Sequence, residues 1–135
     1  MLTPYEVIVK TALPAVRGLL AEKLTKKYGL KQKEIASLLH VTQAAVSYYL
    51  TKSRGKYVDH LRDTEINNMV DKLSETIIRE RPNPEELAKH INKIIIEVIR
   101  KGYLCDYHML LEDIGEKEEC KLCETILEYW DTEHR

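Results

Sequence analysis

The chain has 135 residues, 44% of them apolar and 32% charged, a balance that excludes a disordered or low-complexity polypeptide and suits one compact unit or two small modules. No apolar run approaches the roughly eighteen residues of a membrane span, and the N-terminus lacks a basic stretch followed by an apolar signal core. A cytoplasmic protein with no membrane attachment is therefore expected. The net charge of −1 hides an asymmetry: residues 1–62 hold 11 Lys/Arg against 4 Asp/Glu, whereas residues 63–135 hold 10 against 18. A basic N-terminal half fits a surface that faces phosphates, and an acidic C-terminal half would point away from them. The plainer alternative is an ordinary solvated surface, unevenly charged.

In chain order, nearly everything reads as helix. Thr3-Pro4-Tyr5-Glu6 is a helix start, with Thr at the cap, Pro in the first turn and Glu placed to bond back. Val7, Ile8 and Leu13 continue an apolar stripe, and Pro14 is expected to kink or restart the helix. Val16, Leu19, Leu20 and Leu24 follow, closing at Tyr28-Gly29. Two short helices fit 31–39 and 42–50, and Ser53-Arg54-Gly55-Lys56 is a basic turn. Ile66, Met69, Val70, Leu73 and Ile77 mark one face of a long helix, whose seam is long enough for a partner helix from a second copy; the alternative is that it packs only within its own chain. Arg81-Pro82-Asn83-Pro84 breaks it. A further stripe runs Leu87, Ile91, Ile94, Ile95, Val98 and stops near Lys101-Gly102; a last helix carries Leu122, Ile126, Leu127 and Trp130. No strand-like alternation of any length occurs.

The two short helices carry the most information. Ile35, Ala36 and Leu39 form an inner face, Ala36 being small enough for close crossing; Val41 plugs the turn; Val46, Tyr49 and Leu50 form the inner face of the second helix. Thr42 is its N-cap. Its outer face is then Gln43, Ala44, Ser47 and Tyr48, all uncharged, at the end of a helix that would enter a major groove. Lys52, Arg54 and Lys56 follow, where they could meet phosphates. The chain contains only two glutamines, Gln32 and Gln43, and each opens one of the short helices. Gln can pair with adenine by two hydrogen bonds.

On these residues the chain resembles the phage-repressor-like (XRE-type) helix-turn-helix family over about residues 13–57. It looks most like small archaeal regulators that carry a helical extension, through Gly29-Leu30, the run from Val41 to Leu50, and Arg54-Gly55. The resemblance implies that Gln32 bonds a phosphate and braces Gln43, which reads a base. It departs at His40, where the family usually has Gly at a left-handed position. The alternative is a helical hairpin that matches without touching DNA.

All three cysteines of the chain lie in one cluster with a histidine: Cys105-x2-His108, then Cys120-x2-Cys123. A spacing of three points each pair the same way on a helix, and Gly115 lets the chain fold back between them. Three thiolates and an imidazole suit structural zinc. An iron-sulfur cluster, making the protein a redox sensor, and three buried cysteines with no metal are the alternatives.

The expected fold is all-α, with a helix-turn-helix DNA-binding domain at 1–60 and a helical dimerisation and metal-binding region at 61–135. The expected function is that of a homodimeric transcription regulator binding double-stranded DNA. No phosphate loop, nucleophile triad or paired acids argue for an enzyme. The competing reading is a protein-interaction module that uses the helix pair to dock a partner.

Overall fold

The computed structural model describes residues 2–112 and 124–133, and these form helices with no strand among the described residues. The chain is thus all-α. Its start follows the local chemistry: the Thr3 hydroxyl accepts from the Glu6 N–H (3.4 Å) and Glu6 Oε1 accepts from the Thr3 N–H (3.1 Å), a reciprocal capping box. Helix α1 (Pro4–Val7) passes directly into a π turn (Ile8–Ala12) and then α2 (Leu13–Lys26). Pro14 thus lies in the first turn of a restarted α-helix, as expected. It donates no N–H, and its ring would press on the carbonyl one turn back; the wider π turn just before it absorbs both demands. Helix α2 closes as expected, with Gly29 at φ 65° and the Leu30 N–H bonded to the Leu24 carbonyl (3.2 Å).

Helix α2 is the centre of the molecule. Val16, Leu19, Leu20, Ala21 and Leu24 are buried. They pack against α3 (Gln32–Leu39) and α4 (Gln43–Lys52) on one side, and against α5 (Thr64–Glu80) and α6 (Pro84–Arg100) on the other. The α5 stripe corrects one expectation. Ile66, Val70, Leu73 and Ile77 are buried within the chain itself, and only Met69 is partly exposed. The seam that predicts a partner helix is closed by α2 and α6, so α5 offers a second copy little apolar surface. A tight linker joins α5 to α6: Arg81 turns left-handed (φ 49°), and Asn83 Oδ1 caps α6 through the Glu86 N–H (2.9 Å). Helix α7 (Tyr103–Leu111) follows Gly102, which is also left-handed (φ 80°), and buries Leu104, Tyr107 and His108. Helix α8 (Glu124–Glu133) packs on α6. Among the described residues no helix is long and apolar enough to cross a membrane.

One carboxylate fastens the start of α5 to the junction of α6 and α7. Asp63 Oδ1 caps α5 through the Glu65 and Ile66 N–H groups (3.0 Å each), while Oδ2 accepts from Lys101 Nζ (2.8 Å) and the Tyr103 hydroxyl (2.9 Å). The Lys101 ammonium, then the Ile66 N–H, hold the Asp63 carboxyl well below the usual carboxylate range. A depressed folded-state pKa stabilises above the unfolded value of about 4 and stops doing so as pH falls through the folded value. Asp63→Asn should therefore melt several degrees below the parent at pH 7, with the gap shrinking below about pH 4. Calorimetry across that range checks it; a gap independent of pH would assign Asp63 no charge-dependent role.

Candidate nucleic-acid interface

Helices α3 and α4 are joined by three residues. Glu34 Oε1 accepts from the Lys31 N–H (3.1 Å) at the start of α3. Ile35, Ala36 and Leu39 face inward. His40 then adopts the left-handed conformation (φ 57°, ψ 41°) that its position requires, and the Val41 N–H closes on the Ala36 carbonyl (3.0 Å). The imidazole compensates for the strain: Nε2 lies 2.9 Å from the Pro82 carbonyl. A carbonyl only accepts, so Nε2 carries the proton. This bond ties the turn to the α5–α6 linker across 42 residues of sequence.

Thr42 Oγ1 accepts from the Ala45 N–H (3.0 Å), capping α4 as its sequence position suggests. Val46 and Tyr49 are buried and Leu50 half-buried. Gln43, Ala44, Ser47 and Tyr48 all lie exposed on the other side, Tyr48 with 51% of its surface in solvent. They form one uncharged strip along the first turns of the helix. Lys52 carries its ammonium 5.2 Å from the Tyr48 ring centre, Arg54 is exposed, and Lys56 lies over Tyr57 at 5.3 Å. Lys31 and Lys33 are exposed at the start of α3. Cations thus follow the neutral strip at the C-terminal end of α4, and two more lie exposed at the start of α3.

What fixes α4 against α2 is a residue the pattern-reading missed. A β-carbon placed on Gly18 would fall 2.7 Å from the Tyr49 carbonyl oxygen and 2.9 Å from the Ser53 nitrogen. The two backbones touch there, which only glycine permits. Arg17, its neighbour, lays its guanidinium 5.5 Å from the Tyr49 ring centre. Gln32 is half-buried at the start of α3, and no hydrogen bond joins it to Gln43.

No protein-family model, curated protein or solved structure matches this chain. Its surfaces must therefore be read from their own chemistry.

The second predicted site is only partly within the described residues. Cys105 and His108 lie one turn apart on α7, whereas Cys120 and Cys123 fall outside the described residues. Among the described residues no group of three or more His, Cys, Asp or Glu side chains is gathered to hold a metal. His108 is fully buried, its Nε2 2.7 Å from Glu112 Oε2, an oxygen that also accepts the Leu2 N–H (3.0 Å). The Leu2 N–H, then His108, hold the Glu112 carboxyl below its ordinary range. The other ring nitrogen, Nδ1, is buried without a hydrogen-bond partner among the described residues, as is Nδ1 of His60. A histidine steadied by a carboxylate at one nitrogen and open at the other is the usual arrangement of a metal ligand. His60 stands between the Tyr103 and Tyr107 rings with Asp106 3.5 Å from its Nε2.

Proposed function

We propose that the chain is a sequence-specific regulator that binds double-stranded DNA through α3 and α4, acting as a helix-turn-helix rather than as an enzyme. The observation that carries this reading is the outer face of α4: Gln43, Ala44, Ser47 and Tyr48 exposed on a capped helix, bordered by Lys52, Arg54 and Lys56. Neutral hydrogen-bonding and methyl groups suit base edges, and the surrounding cations suit phosphates. Gln43 is placed to pair with an adenine, and Ala44 to touch a thymine methyl. Gln32 and the Thr42 N-cap flank them near the backbone.

A single pair of short helices reads few base pairs, so two copies on half-sites about 34 Å apart are proposed. The α5 stripe is not available for that dimer. Val9, Met109 and Leu110, exposed apolar side chains on two elements that pack together, the π turn and α7, offer apolar surface for it instead.

Two substitutions test the division of labour. Gln43→Ala should weaken binding by roughly 1–3 kcal/mol at one base position and little elsewhere. Lys56→Ala should weaken every sequence about equally. Affinities measured over a set of single-base variants separate them, and an equal loss on all sequences for Gln43→Ala removes it as a base reader.

We propose further that Cys105, His108, Cys120 and Cys123 hold a structural zinc ion, with Glu112 orienting His108. The open Nδ1 of His108 and the soft thiolate donors support zinc. Such an ion would cross-link α7 itself to the residues before α8. Purified protein should be colourless and contain one zinc per chain, and Cys105→Ser should lower that content. Visible absorption with iron in place of zinc would turn the site into an iron-sulfur sensor.

A further inference from the structure

Two apolar grooves meet at one cation. The larger, about 310 Å³, runs between the N-terminal helix and α6 and is lined by Ile8, Leu13, Ile91, Ile95 and Ile99, with Ile126 of α8 at its side. The smaller, about 190 Å³, continues toward the α3–α4 turn, past Leu20, Leu39, Val41 and Leu87. Arg17, Ala88 and Ile91 line both, so the two form one continuous trough with Arg17 at the junction. Among the described residues neither lining contains a carboxylate, and the only other ionisable groups are Tyr5, Tyr49 and His40, whose ring is engaged with Pro82.

Arg17 is half-buried, and among the described residues no carboxylate pairs with it. Its one neighbour of note is the Tyr49 ring. A guanidinium beside apolar walls loses hydration without gaining an anion, and its planar fork matches a carboxylate through two charge-assisted hydrogen bonds. A single cation suits a single negative charge better than a phosphate, which draws on several donors. The walls are aliphatic over most of their length, so they suit a hydrocarbon chain.

We propose that this trough binds a small aliphatic monocarboxylate, with the carboxylate on Arg17 and the hydrocarbon along Ile91, Ile95 and Ile99. The site is independent of the DNA reading, since no residue of the α4 outer face takes part. It reaches the inner side of α4, however: a carboxylate on Arg17 competes with the buried Tyr49 ring for the guanidinium.

Calorimetric titration of the whole chain, without DNA, tests the inference with octanoate, octanol and octylammonium. Octanoate should fill one saturable site per chain, with octanol and octylammonium at least about tenfold weaker. Arg17→Gln should bring octanoate down to the level of octanol while the protein still melts cooperatively. Ile96→Trp, at a half-exposed lining position where a larger side chain fills the trough, should abolish uptake of all three. Equal binding of acid and amine, or unaltered octanoate binding by Arg17→Gln, overturns the proposal. So does a lack of saturable uptake, the outcome expected if a second copy or the chain's own tail occupies the trough.

Discussion

Gly18→Ala should destabilise the protein by about 2 kcal/mol and move α4 away from α2. The expected sign is opposite to that of an ordinary glycine in a helix. Replacing a solvent-facing helical Gly by Ala stabilises by about 1 kcal/mol, because Ala loses less backbone freedom. At Gly18 the added carbon meets two backbone atoms of the α4 end, at 2.7 and 2.9 Å, and backbone cannot step aside as a flexible side chain does. Overpacking of this kind costs about 3 kcal/mol at the upper end of its usual range, which outweighs the gain in propensity. Denaturant unfolding measures the net effect. Because the relief must come from α4, the same variant should bind DNA more weakly even where it is fully folded. A stabilised Gly18→Ala protein would mean that the two helices do not approach as closely as described.

The second large effect concerns salt. Removing Lys52, Arg54 and Lys56 together takes three phosphate contacts from each half-site on the proposed reading. Each contact contributes about 0.9 to the slope of log affinity against log salt, so the slope should flatten by about 2.7 per half-site. At 0.1 M salt that is a loss of about 500-fold per half-site, vanishing toward 1 M as counterion release ceases to matter. These side chains lie exposed or half-exposed on the surface, and removing them should leave the melting temperature nearly unaltered. Binding titrations at four or five salt concentrations check the prediction. A triple variant with the parent's slope would place the phosphates elsewhere.

What was legible in the sequence was chiefly local. Thr3 with Glu6, Thr42, the break at Arg81-Pro82-Asn83-Pro84, and the glycines at 29 and 102 mark helix ends through bonds or dihedrals that a few neighbouring residues decide. The inner and outer faces of α3 and α4 follow from helical period alone. What a face packs against does not. Ile66, Val70, Leu73 and Ile77 specify a stripe equally suited to a partner chain or to α2 and α6, and the fold selects the latter. The meeting of Gly18 with α4 and of His40 with Pro82 spans 31 or more residues, and neither has a local signature. A glycine inside an apolar helical stripe was the one available hint. Pro14 marks the restart of the α-helix locally, but the π turn that precedes it has no such signature. Arg17 between two apolar grooves was also beyond reach, because no spacing in the sequence brings α6 to α2.

The central claim is that the neutral strip on α4 reads base pairs from within a frame of cations. Selection of bound duplexes from a random pool, with the whole chain at fixed moderate salt, tests it most directly. The account predicts enrichment of a motif in two inverted halves whose centres lie about 34 Å apart along the duplex, lost on substitution of Gln43 and Ser47. A pool that stays random after repeated rounds, together with binding indifferent to salt, would contradict it.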